Sequence, residues 1–394
     1  MSFVTVTGGV CAPQGFLAAG VSAGLKRTGN PDVALVVSTQ PAVAAGVFTR
    51  NNVAAAPVQV SRARLAAGGA ARAVVINSGG ANACTGPRGL ADARAMTEAA
   101  GAALGIPAEE VFVCSTGLIG SFLPMDKVVA GINDAASKLA VDDEIAARAI
   151  MTTDTVPKLA AVASTHAWHL GGIAKGAGMI NPNMGTMLAV VTTDAVADPE
   201  ILQAALRRVA DRTFNSITID GDTSTNDTVL VLANGASGVR PDPTELEAAL
   251  LAVCDSLSRQ MVADGEGVTK FVTVKVSGAA ARADAVAAAR AIAESTLVKT
   301  AVFGEDANWG RVASAVGNSG ASARFDGLTI SMAGIRVLNV GVAEGTQAID
   351  EARAAMAKHQ ITIECDLGVG LEEATILTSD LTPDYVTLNA EYEL

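Results

Sequence analysis

The sequence contains few aromatic residues, few histidines and too few basic residues to balance its acidic ones. Only 3% of its 394 residues are Phe, Trp or Tyr, so the core must consist mainly of Ala, Val, Leu and Ile. The formal net charge of −12 is the wrong sign for binding nucleic acid or an anionic membrane. No apolar run approaches the roughly 18 residues of a membrane-spanning helix, and the amino terminus lacks a signal-peptide pattern. We therefore expect a cytoplasmic protein that binds neither nucleic acid nor membranes.

Cysteine and histidine are too scarce and too scattered to form a familiar site. The five cysteines never occur in a C-x-x-C spacing, which argues against a disulfide framework and against zinc, so we interpret them as small buried apolar residues. His166 and His169 have no cysteine or carboxylate at ligand spacing, and we expect both on a strand surface. A nucleophile in this chain needs another base, and the free amine of an amino-terminal threonine is one. The cysteines are Cys11, Cys84, Cys114, Cys254 and Cys365.

A glycine-rich loop near the middle of the chain leads into an apolar run. The loop begins after Lys175, and Met187–Val191 has the pattern of a short buried strand, so Thr186 lies where that strand begins. Gly185 has no Cβ, so the peptide before Thr186 can adopt a geometry in which the hydroxyl attacks the preceding carbonyl. On pattern alone, an ordinary glycine-rich turn is the more common explanation. The residue types also allow a self-cleaving bond between Gly185 and Thr186.

Short β-rich runs alternate with alanine-rich helical patterns, which favours an α/β fold with mixed sheets. No repeat of roughly 20 to 50 residues and no low-complexity linker interrupts the chain. Helices are expected at Leu90–Leu104, Pro199–Arg212 and Thr244–Val262. Strands are expected at Val33–Ser38, Ala45–Thr49, Pro57–Val60, Ala73–Ile76, Leu159–Ala167, Gly172–Ala174 and Phe271–Val276.

Three turns contain residue types that suit a catalytic or binding role. Thr116 and Gly117 end the predicted strand that starts at Val111, and the hydroxyl and backbone N–H of such a turn can stabilise an oxyanion. The runs Thr152–Thr155 and Asp264–Lys270 place hydroxyl and carboxylate groups in turns. Ordinary structure explains all three as a strand-ending turn, a hydroxyl cap and a solvated turn. The residue pattern alone leaves these alternatives open.

Two polar loops raise the question of a phosphate or metal site. Asn77–Gly86 lacks the G-K-[ST] ending of a nucleotide-binding loop, so we expect it instead to approach the active centre closely through its backbone. Asp220, Asp222 and Asp227 are close in sequence, but their spacing does not match a calcium-binding loop. We predict no metal and interpret this second loop as a wall of the active site.

Several motifs occur in one order along nearly the whole chain. They are S-T-G-L-I-G at 115–120, M-T-T-D-T at 151–155, K-G-A-G-M at 175–179 with T-M-L at 186–188, and D-G-E-G-V-T-K at 264–270. Together they resemble the ornithine acetyltransferases of the ArgJ family, amino-terminal-nucleophile enzymes that cut themselves before the threonine matched by Thr186. The resemblance implies an αββα sandwich, DmpA/ArgJ-like, of stacked mixed β-sheets covered by helices. It also implies an α chain of residues 1–185 and an intertwined β chain of residues 186–394, assembled as a heterotetramer of two α and two β chains.

The same resemblance implies a ping-pong reaction of arginine biosynthesis. Thr186 would take the acetyl group from N2-acetylornithine as an acetyl-threonine ester and pass it to glutamate, with no cofactor. Whether acetyl-CoA also donates an acetyl group stays open. Two other classes also stay open: an amidohydrolase or aminopeptidase that uses the same threonine with water, and a non-catalytic binding protein whose chain remains uncut.

Roles for individual positions follow from the resemblance. Thr186 would be the nucleophile after cleavage behind Gly185, where many members have alanine, and Thr116 with Gly117 would form the oxyanion hole. Leu394 stands where the family commonly has a substrate-contacting hydroxyl, so that contact would be absent or made differently. The positions implied to bind substrate are Thr152, with Thr153 as second choice, Lys175, Thr186, Glu266 and Asn389.

Overall fold

A computed structural model describes residues 3–181 and 187–391 of the chain. These residues form two compact units. Of the described residues, 3–181, 187–215 and 222–261 make up the first unit, and 216–221 and 262–391 make up the second. Within the described ranges, none of the helices is long and apolar enough to cross a lipid bilayer.

A nine-stranded mixed sheet forms the first unit. Its order is β1-β6-β7-β8-β9-β3-β4-β5, and β2 pairs with β3 outside this path. The long strand β3 shifts register between Val37 and Ala42, so its first half pairs with β2 and β4 and its second half with β9. The strands are β1 Phe3–Val6, β2 Phe16–Val21, β3 Val33–Phe48, β4 Ala71–Asn77, β5 Val111–Ser115, β6 Lys158–Ser164, β7 His169–Lys175, β8 Leu188–Thr193 and β9 Thr228–Ala233.

The two halves of this sheet stack on one another. Val36 of β3, Ile76 of β4, Val190 of β8 and Leu230 of β9 belong to one buried apolar cluster. A second cluster joins the outer face of β3, β4 and β5 to helices α2 and α3. This arrangement is the predicted stack of mixed sheets covered by helices. The helices of this unit are α1 Ala56–Ala67, α2 Gly86–Leu104, α3 Met125–Ser137, α4 Asp143–Ile150, α5 Pro199–Arg212 and α6 Pro243–Ala263.

One predicted strand is wrong. Pro57–Val60 lies in the first turn of α1, where the missing N–H of Pro57 costs nothing because the first helical N–H groups have no intrahelical partner. Val58 and Val60 are buried from the helix rather than from a strand. Four residues are too few to distinguish the two periodicities. The predicted strand pair around 159–174 and the helix Pro199–Arg212 are confirmed.

The cysteine and histidine predictions are partly confirmed. Cys84 is exposed, contrary to expectation, whereas the other four cysteines are buried. Burial raises the pKa of each of these four thiols to about 12, so they stay protonated and unreactive. His169 begins β7 as predicted, with its Nδ1 3.3 Å from Asp194 Oδ2. His166 lies in the turn before β7 rather than on a strand.

A six-stranded sheet in the order β13-β12-β11-β14-β10-β15 forms the second unit. Helix α7 packs its alanines, with Ile292, against the apolar face of β10 and β15. The strands are β10 Phe271–Ala279, β11 Thr329–Met332, β12 Ile335–Asn339, β13 Val342–Ala343, β14 Gln360–Asp366 and β15 Glu372–Ser379. The helices are α7 Arg282–Glu294, α8 Thr296–Phe303, α9 Trp309–Gly317, α10 Thr346–Ala355 and α11 Pro383–Ala390.

Candidate active site

Lys175 is the centre of the candidate site in the first unit. It is the last residue of β7, and only 1% of it is exposed. Its Nζ donates a hydrogen bond to Thr152 Oγ1 at 2.7 Å and a longer one to Thr116 Oγ1 at 3.5 Å. Thr152 follows α4 and Thr116 follows β5, so a single ammonium group brings together three residues from separate parts of the chain.

Asp154 fixes the surroundings of that ammonium group. Its Oδ1 accepts hydrogen bonds from Lys158 Nζ and from the Gly176 N–H, both at 2.7 Å. Its Oδ2 accepts the Thr152 N–H at 3.0 Å and lies 3.8 Å from Lys175 Nζ. Burial alone would raise the pKa of Asp154, but the charges of Lys175 and Lys158 outweigh it and lower the pKa to about 2. The carboxyl is therefore ionised at neutral pH.

The turn at Thr116 and Gly117 is held by backbone hydrogen bonds and contains a glycine with a positive φ. Gly117 has φ +127°, a conformation that side chains disfavour, and its N–H has no hydrogen-bond acceptor among residues 3–181 and 187–391. Asn77 O accepts the Thr116 N–H at 2.9 Å, and the Gly80 N–H returns to Thr116 O at 3.1 Å. The loop at 77–86 therefore approaches this turn closely through its backbone. The Asn77 C=O and the Gly80 N–H of this loop thus bind the turn at Thr116.

The loop before β9 holds the start of β8. The Met187 N–H donates to Asp227 Oδ1 at 3.0 Å, and Asp227 is fully buried. Asp220 of the same loop lies in the second unit, whereas Asp227 lies in the first. In the part of the chain that the structure describes, no group of three or more His, Cys, Asp or Glu side chains is arranged to hold a metal ion.

Glu266 and Asn389 meet within the second unit. Asn389 Nδ2 donates to Glu266 Oε2 at 2.8 Å. Glu266 lies in the turn after α6, and Thr382 Oγ1 donates to Gly267 O at 2.7 Å, which ties this turn to the start of α11. Gly267 has φ +66°, and a Cβ there would lie 2.5 Å from Tyr385 N. Only glycine fits this close approach, which explains the residue after Glu266.

Comparison with known proteins relates these features to a family. The sequence model of the ArgJ family matches residues 17–394. The chain belongs to the ArgJ family. It is 53% identical over 394 residues to the arginine biosynthesis bifunctional protein ArgJ of Mycolicibacterium paratuberculosis, covering 98% of this chain and 96% of that one. It is 48% identical to the protein of the same name from Thermobifida fusca, covering 97% and 99% of the two chains.

A solved ArgJ structure is also similar. The crystal structure of the arginine biosynthesis bifunctional protein ArgJ from Bacillus halodurans matches at 40% identity with a TM-score of 0.50. The match covers 52% of this chain and 98% of that one. That solved polypeptide is therefore about half as long as this chain.

The structure brings some of the predicted ArgJ-family site residues together and leaves others untested. Thr116, Thr152 and Lys175 meet in the first unit, and Glu266 meets Asn389 in the second. Thr153 is half-buried in the same loop as Thr152. Gly185, Thr186 and Leu394 lie outside the described residues. Sequence reasoning missed Asp154 and Lys158, although Asp154 lies inside the quoted M-T-T-D-T run and Lys158 follows it at a spacing of four.

Proposed function

We propose that this ArgJ-family protein is a self-cleaving acetyltransferase of arginine biosynthesis that transfers the acetyl group of N2-acetylornithine to glutamate. The observation that carries the proposal is the meeting of Thr116 and Thr152 at the buried ammonium of Lys175, directly before the loop that leads to Thr186. The names of the two relatives, which match nearly the full length of this chain, support the pathway.

Self-cleavage would begin with attack of the Thr186 hydroxyl on the Gly185 carbonyl, which forms an ester. Water then hydrolyses the ester and leaves an α chain that ends at Gly185 and a β chain that begins at Thr186. Residues 186–394 are 209 of the 394 residues, or 53%. The match to the B. halodurans polypeptide covers 52% of this chain and 98% of that polypeptide, which supports a product of that size.

The new amine of Thr186 would serve as the general base. Its unperturbed pKa is about 8, so a fraction is neutral at pH 7 and can accept the hydroxyl proton. A nearby Lys175 ammonium would lower that pKa further by like-charge repulsion. Thr186 then attacks the acetyl carbonyl, ornithine leaves with the proton, and an acetyl-threonine ester remains. Glutamate attacks this ester in the second half-reaction and departs as N-acetylglutamate.

The described geometry supports the remaining parts of the proposed mechanism. The Gly117 N–H, which has no acceptor among the described residues, and the Thr116 hydroxyl would donate to the oxyanion of each tetrahedral intermediate. Because Lys175 Nζ donates to Thr116 Oγ1, the hydroxyl proton of Thr116 is available to that oxyanion. Two lysines surround one carboxylate in the Asp154 cluster, and the surplus positive charge suits a substrate carboxylate.

The proposal also includes substrate recognition and assembly. Glu266, held by Asn389, would bind the ammonium group of an amino-acid substrate. Acetyl-CoA is the second acetyl donor that we propose, and the word bifunctional in the names of the relatives supports it. We further propose a cytoplasmic heterotetramer of two α and two β chains.

Intact mass under denaturing conditions tests the nucleophile. The unmodified protein should give two polypeptides, the second of which begins at Thr186, and Thr186→Ala should give one uncut chain. A single chain from both proteins would overturn the proposed function and favour an uncut binding protein.

Steady-state kinetics test the acceptor. Double-reciprocal plots for N2-acetylornithine at several glutamate concentrations should be parallel, because the acetyl-enzyme forms before glutamate binds. Intersecting lines would exclude this scheme. Release of acetate at an unchanged rate without glutamate would instead indicate an amidohydrolase.

A further inference from the structure

Asp227 is a buried carboxyl group that the proposed mechanism does not use. It directly precedes β9 and has no exposed surface. Its Oδ1 accepts the Met187 N–H at 3.0 Å. Its Oδ2 is also buried and has no hydrogen-bond partner in the described part of the chain. An unpartnered buried carboxyl oxygen is costly, so its retention calls for an explanation.

The backbone N–H and C=O of Met187 both form hydrogen bonds with the adjacent residues Asp227 and Thr228. The Thr228 N–H donates to Met187 O at 3.2 Å while Asp227 accepts the Met187 N–H. These bonds extend the parallel pairing of β8 with β9, in which Leu188 is opposite Thr228. Met187 N is covalently bonded to the carbonyl carbon of Thr186. Asp227 therefore restrains the peptide that directly follows the proposed nucleophile.

Asn226, the residue before Asp227, restrains the turn at Thr116 and Gly117, which is the proposed oxyanion turn. Asn226 Nδ2 donates to Ser115 O at 2.8 Å and to Ala81 O at 2.6 Å. Ser115 is the last residue of β5 and directly precedes Thr116. The consecutive residues Asn226 and Asp227 thus bind the end of β5 and the residue just before β8, respectively.

The surroundings of Asp227 favour its neutral form. Burial raises the pKa of its carboxyl well above the ordinary value, and the Met187 N–H, the nearby Thr49 hydroxyl and the charge of Lys175 offset this only in part. The Thr49 hydroxyl donates its proton to Ser224 O at 2.7 Å, so it leaves Oδ2 without a donor. The Met187 N–H, just before β8, and the Thr49 hydroxyl, just after β3, are uncharged. Lys175, at the end of β7, carries the charge that acts on the Asp227 carboxyl. A neutral carboxyl can accept the Met187 N–H through Oδ1 and keep its proton on Oδ2.

We propose that Asp227 is a positioning residue that fixes the peptide after Thr186 in register with the oxyanion turn held by Asn226. This inference rests on the proposed function, because it assigns the restraint to self-cleavage and acetyl transfer. It also gives the aspartate-rich loop a role other than metal binding.

The test compares two substitutions at Asp227 with a matched control. Asp227→Ala removes the acceptor, whereas Asp227→Asn is neutral, similar in shape and keeps an acceptor oxygen. Asp194 is the control, because it is a buried carboxyl at the other end of β8 that accepts the Gln14 N–H at 2.9 Å and the His169 N–H at 2.7 Å. The measurements are the rate at which two polypeptides appear, the transferase rate across pH, and the thermal unfolding midpoint.

Asp227→Ala should slow cleavage and transfer on the order of 100-fold, the usual effect of misplacing a reacting group by about 1 Å. Asp227→Asn should recover most of that loss and should lack the fall in rate at high pH that ionisation of Asp227 causes in the unmodified protein. Asp194→Ala should lower the unfolding midpoint without slowing cleavage of the folded protein.

Three results would overturn the inference alone: a cut and active protein indifferent to Asp227→Ala, an Asp227→Asn variant as slow as Asp227→Ala, or an equal loss of cleavage in Asp194→Ala. Should Asp227→Ala fail to fold, Asp227→Asn decides, because it keeps the acceptor oxygen: a folded Asp227→Asn variant that is neither cut nor active would contradict the positioning role. An unmodified protein that is neither cut nor active would overturn the proposed function itself, and this inference with it.

Discussion

Asp154 and Asp227 are both buried carboxyls in the first unit, and the charge of Lys175 acts on both, yet their pKa values move in opposite directions. Asp154 receives Lys158 Nζ at 2.7 Å and has Lys175 Nζ at 3.8 Å, and its pKa falls to about 2. Asp227 receives a backbone N–H, and burial keeps its pKa raised. Burial therefore does not decide the charge of an acid, whereas the ammonium groups in contact with it do.

Asp154→Ala should cause the largest loss of stability, because it leaves the buried ammonium groups of Lys158 and Lys175 without their shared partner. Breaking a buried ion pair costs about 3–5 kcal/mol of the free energy of unfolding. Asp134→Ala is the matched control, since Asp134 pairs with Lys138 at the same spacing of four and 2.8 Å but is exposed. That change should cost only about 0.3–0.5 kcal/mol. Urea unfolding at pH 7 measures both, and equal small losses would contradict the ion-pair account.

Lys175→Met should have the next largest effect, and mainly on catalysis. Loss of the ammonium group leaves Thr116 and Thr152 without their common donor, and we expect turnover to fall on the order of 100-fold. The fold should persist, because Asp154 keeps Lys158 as a partner. The pKa of Asp154 should rise, which would move acid unfolding to higher pH. Unchanged kinetics would remove Lys175 from the catalytic machinery, and Lys138→Met is the exposed control.

The smallest effect, and the sharpest test of the contrast, is the pH dependence of stability. The lowered pKa of Asp154 contributes stability that is present above pH 3.8 and is lost as the pH falls towards 2. The raised pKa of Asp227 acts in the opposite sense, so stability falls as the pH rises above 3.8 until the folded-state pKa is passed.

Relative to the unmodified protein, the free energy of unfolding of Asp227→Asn should therefore rise by up to about 1.4 kcal/mol per pH unit between pH 3.8 and the folded-state pKa of Asp227. Urea unfolding from acid to neutral pH measures the difference between the two proteins. A difference that is constant with pH would show that Asp227 is ionised in the folded protein.

The parts of the site that depend on local pattern could be predicted from the sequence. Thr116 follows a short apolar strand, and Lys175 ends one, so both strands and their ends were recognisable. Gly265 and Gly267 flank Glu266, which is a pattern typical of a turn, and the approach of Tyr385 requires Gly267. The strand predicted at Pro57–Val60 failed because a four-residue pattern suits either periodicity.

The buried charges could not be predicted in the same way. Asp154 lies in a run that could be an ordinary hydroxyl cap, and Lys158 resembles any lysine placed four residues after an acid, as Lys138 is after Asp134. Only tertiary packing distinguishes the buried pair from the exposed one. Asp227 drew attention as one of three neighbouring aspartates, but its contact with Met187 spans 40 residues of sequence. No local pattern encodes such a contact.

The strand order of the first unit has a consequence for the proposed cut at Gly185. Strands β8 and β9 would belong to the carboxyl-terminal product, and they lie between β7 on one side and β3 on the other, both from the amino-terminal product. The β7–β8 hairpin would become a ladder between two separate polypeptides, from Leu170 opposite Thr193 to Lys175 opposite Leu188. The products would then be interlocked, since neither could leave without opening the sheet along both borders of a two-stranded ribbon. Folding would therefore have to precede the cut. The covalent connection between β7 and β8 would help the sheet to form and would be absent from the mature enzyme.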